Sequence, residues 1–154
     1  MKSDTKKIAA ILLTGAITLT GCSSGSDSPP PPPSPPIGDI NGTWNITEIL
    51  TSQAAGCSGI ENYSIIVVQN GNSATITDSN GNVFNNAVLS GDQLTWSGSY
   101  PEAPGTTTTN ATATISSNCT SLTATATWSY SETGFSCNGT STVTGTRTSG
   151  GNGC

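Results

Sequence analysis

The sequence predicts an all-β domain over residues 37–154, folded as an eight-stranded antiparallel up-and-down barrel. From Ile37 onward, apolar residues alternate with Thr, Ser and Asn at a period of two, the pattern of strands with one buried face. Turn-forming residues recur about every ten positions, and no stretch shows the longer period of an amphipathic helix. The domain is long enough to enclose a modest hydrophobic core.

Eight segments carry this alternation, and each is bounded by Gly, Asn, Asp, Ser or Pro residues. β-Branched and aromatic side chains are frequent in them, as is usual for strands. The predicted strands are Asn41–Leu50, Asn62–Gln69, Ser73–Ser79, Asn82–Ser90, Gln93–Tyr100, Thr106–Ser116, Ser121–Ser131 and Asn138–Arg147.

Short connections join these segments, so each strand is expected to pair with the next. Asn70-Gly71 and Asn80-Gly81 predict type I′ hairpin turns, in which both central residues have positive φ. Gly91-Asp92 fits a type II′ turn, which needs glycine at its first central position. Closing such a meander into a barrel removes both exposed edges. A β-sandwich, with Trp44 as an ordinary core residue, is the competing architecture.

Two short motifs at the ends of the domain favour the barrel. Gly42-Thr43-Trp44 opens the first strand, and Thr146-Arg147 ends the last. This arrangement resembles the lipocalin and wider calycin families, in which a Gly-x-Trp packs at the closed end under an arginine of the last strand. The resemblance implies structural roles for Gly42, Trp44 and Arg147, with the guanidinium over the Trp44 ring. The second lipocalin motif and the C-terminal helix are missing from this sequence.

The barrel topology also pairs the cysteines. Four cysteines follow position 22, and an even number in an exported chain indicates two disulfides. Odd strands run from the closed rim, where the first strand starts, to the open rim. Cys57 lies in the loop after the first strand and Cys137 in the loop after the seventh, so both are expected at the open rim. Cys119 follows the sixth strand and Cys154 follows the eighth, so both are expected at the closed rim. The expected bridges are therefore Cys57–Cys137 at the open rim and Cys119–Cys154 at the closed rim.

Alternation assigns the side chains that face the lumen. Small inward residues, Ala111, Ala113 and Gly145, are expected to leave room there. An apolar cup with hydroxyl groups at its mouth is the general form of a small-molecule pocket. The alternative for the aromatic residues is a filled barrel, in which they belong to the core. The alternative for Glu48 is a position at the rim or in a bulge, from which its carboxylate reaches water. The residues expected to bind a ligand are Glu48, Tyr63, Trp96, Tyr100, Trp128 and Tyr130.

The first 36 residues differ from the domain. A basic start precedes an apolar stretch, Ile8 to Leu19, which suits a signal peptide and is too short to span a bilayer. Leu19-Thr20-Gly21-Cys22 resembles the lipobox of bacterial lipoproteins. The resemblance implies a signal peptide over residues 1–21 and lipidation of Cys22. Residues 22–36 then form a linker with a flexible Ser/Gly part and an extended proline part.

The lipoprotein resemblance also implies a location. The N-terminal lipid would anchor the chain to a membrane. Ser23 follows the cysteine, where an aspartate would signal retention at the inner membrane. We therefore expect an outer-membrane lipoprotein that faces the periplasm or the cell surface.

Charge and composition narrow the possible functions. After Cys22 the chain has one basic residue, Arg147, and eight acidic residues, so we expect no nucleic acid partner. The chain has no histidine and no lysine after the leader, which removes Ser–His and Cys–His nucleophiles, Schiff bases and most zinc sites. No spacing singles out a carboxylate pair for glycoside hydrolysis. We expect neither enzyme activity, nor a metal, nor a cofactor.

The leading hypothesis is a lipocalin-like lipoprotein that binds a small, largely apolar ligand in the barrel mouth. One alternative is a structural or protein-interaction lipoprotein of the cell envelope, with a filled barrel and contacts through loops or the outward-facing Ile66 and Val68. Another is a carbohydrate-binding β-domain, which needs Trp96 or Trp128 on an exposed face.

Overall fold

A computed structural model describes residues 32, 34–151 and 153–154 of the chain. They form an eight-stranded antiparallel barrel that closes where the first strand pairs with the last. The predicted signal peptide, Cys22 and most of the predicted linker lie outside the described residues. Within the part of the chain that is described, no helix has the length and apolar character needed to cross a membrane.

The strands follow one another around the barrel in chain order, so the predicted up-and-down meander is confirmed and the β-sandwich is not formed. β2 and β8 exceed their predicted bounds most. β2 continues to pair with β1 as far as Gly59, which is opposite Leu50. β8 begins at Phe135, which pairs with Glu132 of β7, and ends at Ser149, which pairs with Thr43 of β1. The strands are β1 (Gly42–Ser52), β2 (Gly59–Asn70), β3 (Ser73–Asp78), β4 (Val83–Ser90), β5 (Gln93–Glu102), β6 (Gly105–Ile115), β7 (Ser121–Glu132) and β8 (Phe135–Ser149).

Alternation along the strands builds the core. In β7, every second residue from Leu122 to Trp128 is buried while the threonines between them are exposed. Such a strand places one face toward the lumen and the other toward water. The largest fully buried side chain is that of Trp44, near the start of β1. The predicted inward positions of β1, β2, β5, β6 and β7 are thus confirmed.

The closed rim is covered by the segment that precedes β1, residues 34–41, which we call the strap. The Ser34 carbonyl accepts hydrogen bonds from the Asn72 side chain at 3.0 Å and from Gly91 N at 3.4 Å. The Ile37 amide donates to Gly91 O at 3.1 Å. Ile40, farther along the strap, is fully buried in the core. The strap therefore seals one end of the barrel.

Trp44 and Arg147 meet beneath the strap, as the lipocalin resemblance implies. The two residues pair across the β1–β8 seam, and the Arg147 guanidinium lies 5.7 Å from the centre of the Trp44 ring. The indole N–H of Trp44 donates to Ile40 O at 3.1 Å, and Arg147 Nη1 donates to Asp39 O at 2.6 Å. Both side chains thus hold the strap as well as each other. Gly42 stands at the start of β1 with a φ of 134°.

Both predicted disulfides are formed. Cys57–Cys137 joins the β1–β2 connection to β8 at the open rim, with a Cα–Cα distance of 6.4 Å. Cys119–Cys154 joins the β6–β7 connection to the C-terminal residue at the closed rim, with a Cα–Cα distance of 5.3 Å. One bridge therefore pins each end of the barrel.

β4 contains a bulge that changes which of its residues face inward. Ile76 of β3 pairs with Phe84, whereas Ala74 pairs with Ala87, so β4 has one extra residue over this stretch. Phe84 and Ala87 are consequently both buried, although strict alternation would send them to opposite faces. The Phe84 ring packs closely against Gly98, since a Cβ added to Gly98 would lie 2.7 Å from the Cδ1 atom of Phe84.

The β4–β5 seam is the shortest in the barrel. Its ladder runs from Ser90–Gln93 at the closed rim only to Val88–Thr95. Toward the open rim, side chains bridge the two strands instead. Asn86 Nδ2 donates to Ser97 Oγ at 3.0 Å, and Phe84 and Tyr100 pack edge to face with ring centres 5.9 Å apart.

The hairpin turns differ in part from their predicted types. Among the described residues, Cys119 is the single non-glycine with positive φ, so neither predicted type I′ turn forms. Asn70 pairs with Ser73, which makes Gly71 the first of two turn residues, as in type II′. Around Asn80-Gly81, the Gly81 amide donates to Asp78 O, and Gly81 alone has positive φ. The predicted type II′ turn at Gly91-Asp92 agrees with the structure, since Ser90 pairs with Gln93 and Gly91 has a φ of 58°.

Candidate functional site

The lumen contains a cavity of about 970 Å³ that opens between the connections of the open rim. This volume falls in the range of small-molecule sites in proteins. The barrel is therefore not filled by its own side chains. All six residues predicted to bind a ligand line the cavity, and they are Glu48, Tyr63, Trp96, Tyr100, Trp128 and Tyr130.

The floor and lower walls of the cavity are apolar. Buried aliphatic side chains from β1, β2, β3, β5 and β7 form this part, while Ala111 and Ala126 widen it. The predicted space beside Gly145 is not available, because Leu122 and Ile46 occupy it within 3 Å of where a Cβ would stand. The aliphatic residues are Ile46, Ile65, Ile76, Leu94 and Leu122.

Aromatic side chains form a band above this floor. Tyr63, Trp96 and Tyr100 are half-buried, whereas Trp128 is 8% exposed. The indole N–H of Trp128 is buried and has no hydrogen-bond partner among the described residues. Most buried polar groups of proteins are hydrogen-bonded, so this N–H is an unused donor in the cavity wall.

Glu48 faces the lumen, as its place in the alternation of β1 predicts. It is half-buried, and its Oε2 atom accepts a hydrogen bond from the Tyr63 hydroxyl at 2.7 Å. Its Oε1 atom accepts one from Ser141 Oγ on β8. Residues of three adjacent strands thus fix the position of this carboxylate.

Three more carboxylates line the mouth, those of Glu61, Asp78 and Glu102. Glu61 stands directly opposite Glu48 in the β1–β2 ladder. Glu102 accepts a hydrogen bond from Thr107 Oγ1, and Asp78 accepts three from Asn80 and Asn82 in the β3–β4 turn. Among the described residues, none donates a hydrogen bond to Glu61.

Burial and the carboxylates of the mouth raise the pKa of neighbouring groups. Partial burial, with the nearby charges of Glu48 and Glu102, raises the pKa of the Glu61 carboxyl above its usual value. Burial, the charge of Glu48 and the hydrogen bond to it raise the pKa of Tyr63 well above that of a free phenol. Burial and the surrounding carboxylates raise the pKa of Tyr100 to about 12. The mouth is therefore a region of negative potential.

Several residues of the cavity were not among the predicted ones. Glu61 could have been found from its cross-strand pairing with Glu48, and Glu102 and Thr107 from the β5–β6 hairpin. Ser141, which lies outside this lining but donates to Glu48, has the same inward parity as Val143 on β8. Phe84 carries no such signal, because only the bulge in β4 turns it inward.

The outer surface bears on the two alternative functions. Trp96 and Trp128 both line the lumen, so neither stands on an exposed outer face as a carbohydrate platform would require. Ile66 and Val68 do point outward, and they are 52% and 58% exposed. The described loops leave both of them uncovered.

Comparison of the sequence with models of known protein families and with curated proteins finds no match. The resemblance to lipocalins therefore consists of the barrel architecture and the motif at the closed rim. In the described part of the chain, no three acidic, cysteine or histidine side chains come together in a way that could hold a metal ion.

Proposed function

We propose that this protein is a lipid-anchored binding protein of the bacterial cell envelope, whose barrel holds a small, largely apolar molecule. The observation that carries the proposal is the open cavity of about 970 Å³. Its apolar floor would exclude water from a bound molecule, and its aromatic band offers large contact areas. Enclosure of most of a ligand's surface in such a cleft is typical of small-molecule sites.

The cavity favours binding over chemical transformation. Its described lining offers carboxylates, phenols and hydroxyls but no histidine, lysine or arginine. The carboxylates of Glu48, Asp78 and Glu102 already accept hydrogen bonds within the barrel. We therefore propose that the ligand leaves the site unchanged.

A matched pair of substitutions tests the binding proposal. Ala126 lines the cavity and Thr127 faces outward on the same strand. We expect Ala126→Phe to remove binding of 1-naphthalenemethanol and Thr127→Phe to leave it unchanged. Calorimetric titration of the full chain in lipid nanodiscs, with empty nanodiscs as the blank, measures both. Equal binding by the two variants, both folded by circular dichroism, would show that the lumen is not the site.

The proposed anchor rests on Leu19-Thr20-Gly21-Cys22, which has the order of residues that lipoprotein processing requires. Several acyl chains on one cysteine would give a stable membrane attachment, whereas a single chain is marginal. Growth of cells with radioactive palmitate should label the protein, and Cys22→Ser should abolish the label. If the serine variant is still labelled, Cys22 is not the lipidated residue and the proposed anchor is wrong.

A further inference from the structure

The mouth of the cavity has charge of one sign. Four carboxylates line it, those of Glu48, Glu61, Asp78 and Glu102. The one basic residue of the described chain, Arg147, lies at the opposite end of the barrel with the strap. A ligand that enters the lumen therefore passes four acidic side chains that no cation of the described residues balances.

Glu48 and Glu61 make this charge unfavourable for the protein itself. They face each other directly across the β1–β2 ladder, and like charges at such positions destabilise a sheet. Glu48 is held there by Tyr63 and Ser141, so it cannot turn away without losing two hydrogen bonds. A cation placed between Glu48 and Glu61 would relieve the repulsion.

The aromatic band suits the same kind of group. Tyr63 and Tyr100 lie beside these carboxylates, and their pKa values respond to the charge of Glu48. Aromatic faces attract ammonium groups, and the attraction grows when the site is shielded from water. Below the band, the aliphatic floor offers contact for an uncharged hydrocarbon body. The carboxylates at the mouth and the apolar floor of the cavity thus match a molecule that is cationic at one end and apolar at the other.

We infer that the ligand is an apolar molecule bearing a positively charged amine, with the ammonium between Glu48 and Glu61 and the hydrocarbon part in the lumen. This inference rests on the proposed binding function and specifies its ligand class. The buried N–H of Trp128, which has no acceptor among the described residues, adds a hydrogen-bond donor to the cavity wall. An oxygen on the apolar part of the ligand would satisfy that donor.

Three compounds with the same ring system test the inference. 1-Naphthylmethylamine, 1-naphthalenemethanol and 1-naphthoate differ chiefly in charge, and each is small enough for the cavity. We expect the full chain in nanodiscs to bind the amine roughly tenfold more tightly than the alcohol, and the carboxylate most weakly. The preference for the amine should shrink as salt is added, because salt screens charges near the surface.

Glu61→Gln and Asp92→Asn form a matched pair of variants. Each removes one negative charge, but Glu61 lines the mouth whereas Asp92 lies in the β4–β5 turn at the closed rim. Glu61→Gln should lose most of the preference for the amine and retain binding of the alcohol. Asp92→Asn should behave as the unchanged protein does. Because none of the described residues donates a hydrogen bond to Glu61, the glutamine variant is expected to fold.

The outcomes separate the two proposals. If all three compounds bind with equal affinity, or the alcohol binds best, the cationic ligand class is wrong while the binding function stands. If the amine preference survives in Glu61→Gln, the assignment of the ammonium to the Glu48–Glu61 pair is wrong. If none of the three binds, both the binding function and the ligand class fail.

Discussion

Arg147 connects three parts of the closed rim through one side chain. Its guanidinium stacks on Trp44, and its Nη1 atom donates to the backbone oxygen of Asp39 in the strap. Asn41 O is a longer acceptor at 3.4 Å. The planar guanidinium of arginine can stack on a ring and donate hydrogen bonds at the same time, which the ammonium of a lysine does less well.

Replacing Arg147 should therefore loosen the strap. We expect Arg147→Ala to lower the free energy of unfolding by about 2 kcal/mol, since it removes the ring contact and the bond to Asp39 O. Arg147→Lys should lose about half as much, because it keeps the charge without the planar guanidinium. Urea denaturation followed by circular dichroism measures both. A lysine variant as weak as the alanine variant would contradict the role given to the charge.

Burial and the acidic mouth together make the stability of the protein depend on the titration of its tyrosines. The pKa values of Tyr63 and Tyr100 are raised in the folded protein, that of Tyr100 to about 12. The unfolded chain then loses its phenolic protons first, near pH 10, while the folded protein keeps them. The free energy of unfolding should consequently fall as pH rises above 10.

Spectrophotometric titration at the phenolate band tests this directly. We expect Tyr63 and Tyr100 to titrate above pH 10 in the folded protein and at about pH 10 in urea. Tyr63→Phe should remove the latest part of the folded titration and flatten the alkaline fall in stability. If folded and urea-treated protein titrate together, the burial of these tyrosines and the negative potential around them do not raise their pKa values as described.

At the scale of elements, the hairpin turns depend on glycines with positive φ. Gly71 has a φ of 61°, whereas Gly59 is not among the glycines with positive φ. A Cβ at either position would have no heavy atom within 4 Å, so the backbone conformation is what distinguishes them. We expect Gly71→Ala to cost about 1–2 kcal/mol and Gly59→Ala to be neutral or slightly stabilising. Thermal unfolding of the two variants decides; equal midpoints would argue against the type II′ turn.

The strands could be predicted from the sequence because each alternates over many residues, and β7 does so without a break from Ser121 to Trp128. The turn types could not, because they depend on which residues pair. Asn70 joins the β2–β3 ladder as the partner of Ser73, which moves the turn by one residue from Asn70-Gly71 to Gly71-Asn72. The orientation of Phe84 was hidden for a similar reason, since the bulge in β4 depends on its register with β3.

For the whole molecule, the two disulfides tie distant parts of the chain at opposite rims. Cys57–Cys137 spans 80 residues and Cys119–Cys154 spans 35. The loop-entropy model assigns each bridge about 4 kcal/mol, slightly more to the longer one. We expect the Cys57→Ser/Cys137→Ser and Cys119→Ser/Cys154→Ser double variants each to lose stability of that order in urea denaturation. If only one of the two double variants loses stability, the rim that carries the other disulfide is stable without it.

The sequence predicts those parts of the candidate site that depend on which side of a strand a residue faces. It does not predict the parts that depend on how the strands come together in the closed barrel. Parity alone places Glu48, Tyr63 and Tyr100 inside the barrel. The gathering of four carboxylates at one mouth requires the closed barrel, because Glu61, Asp78 and Glu102 belong to three different strands, β2, β3 and β5. The prediction of a small, largely apolar ligand was made from parity and took no account of the charge at the assembled rim.

The strap has a mechanical consequence. The described chain reaches the barrel at the closed rim, where Ser34 and Ile37 bond to Gly91. Tension applied from the N-terminal side would act first on these bonds and on the bridge between Asp39 and Gly153, not on the open rim. A pull from the N-terminal side would therefore load the closed rim, which is the end of the barrel opposite the mouth of the cavity.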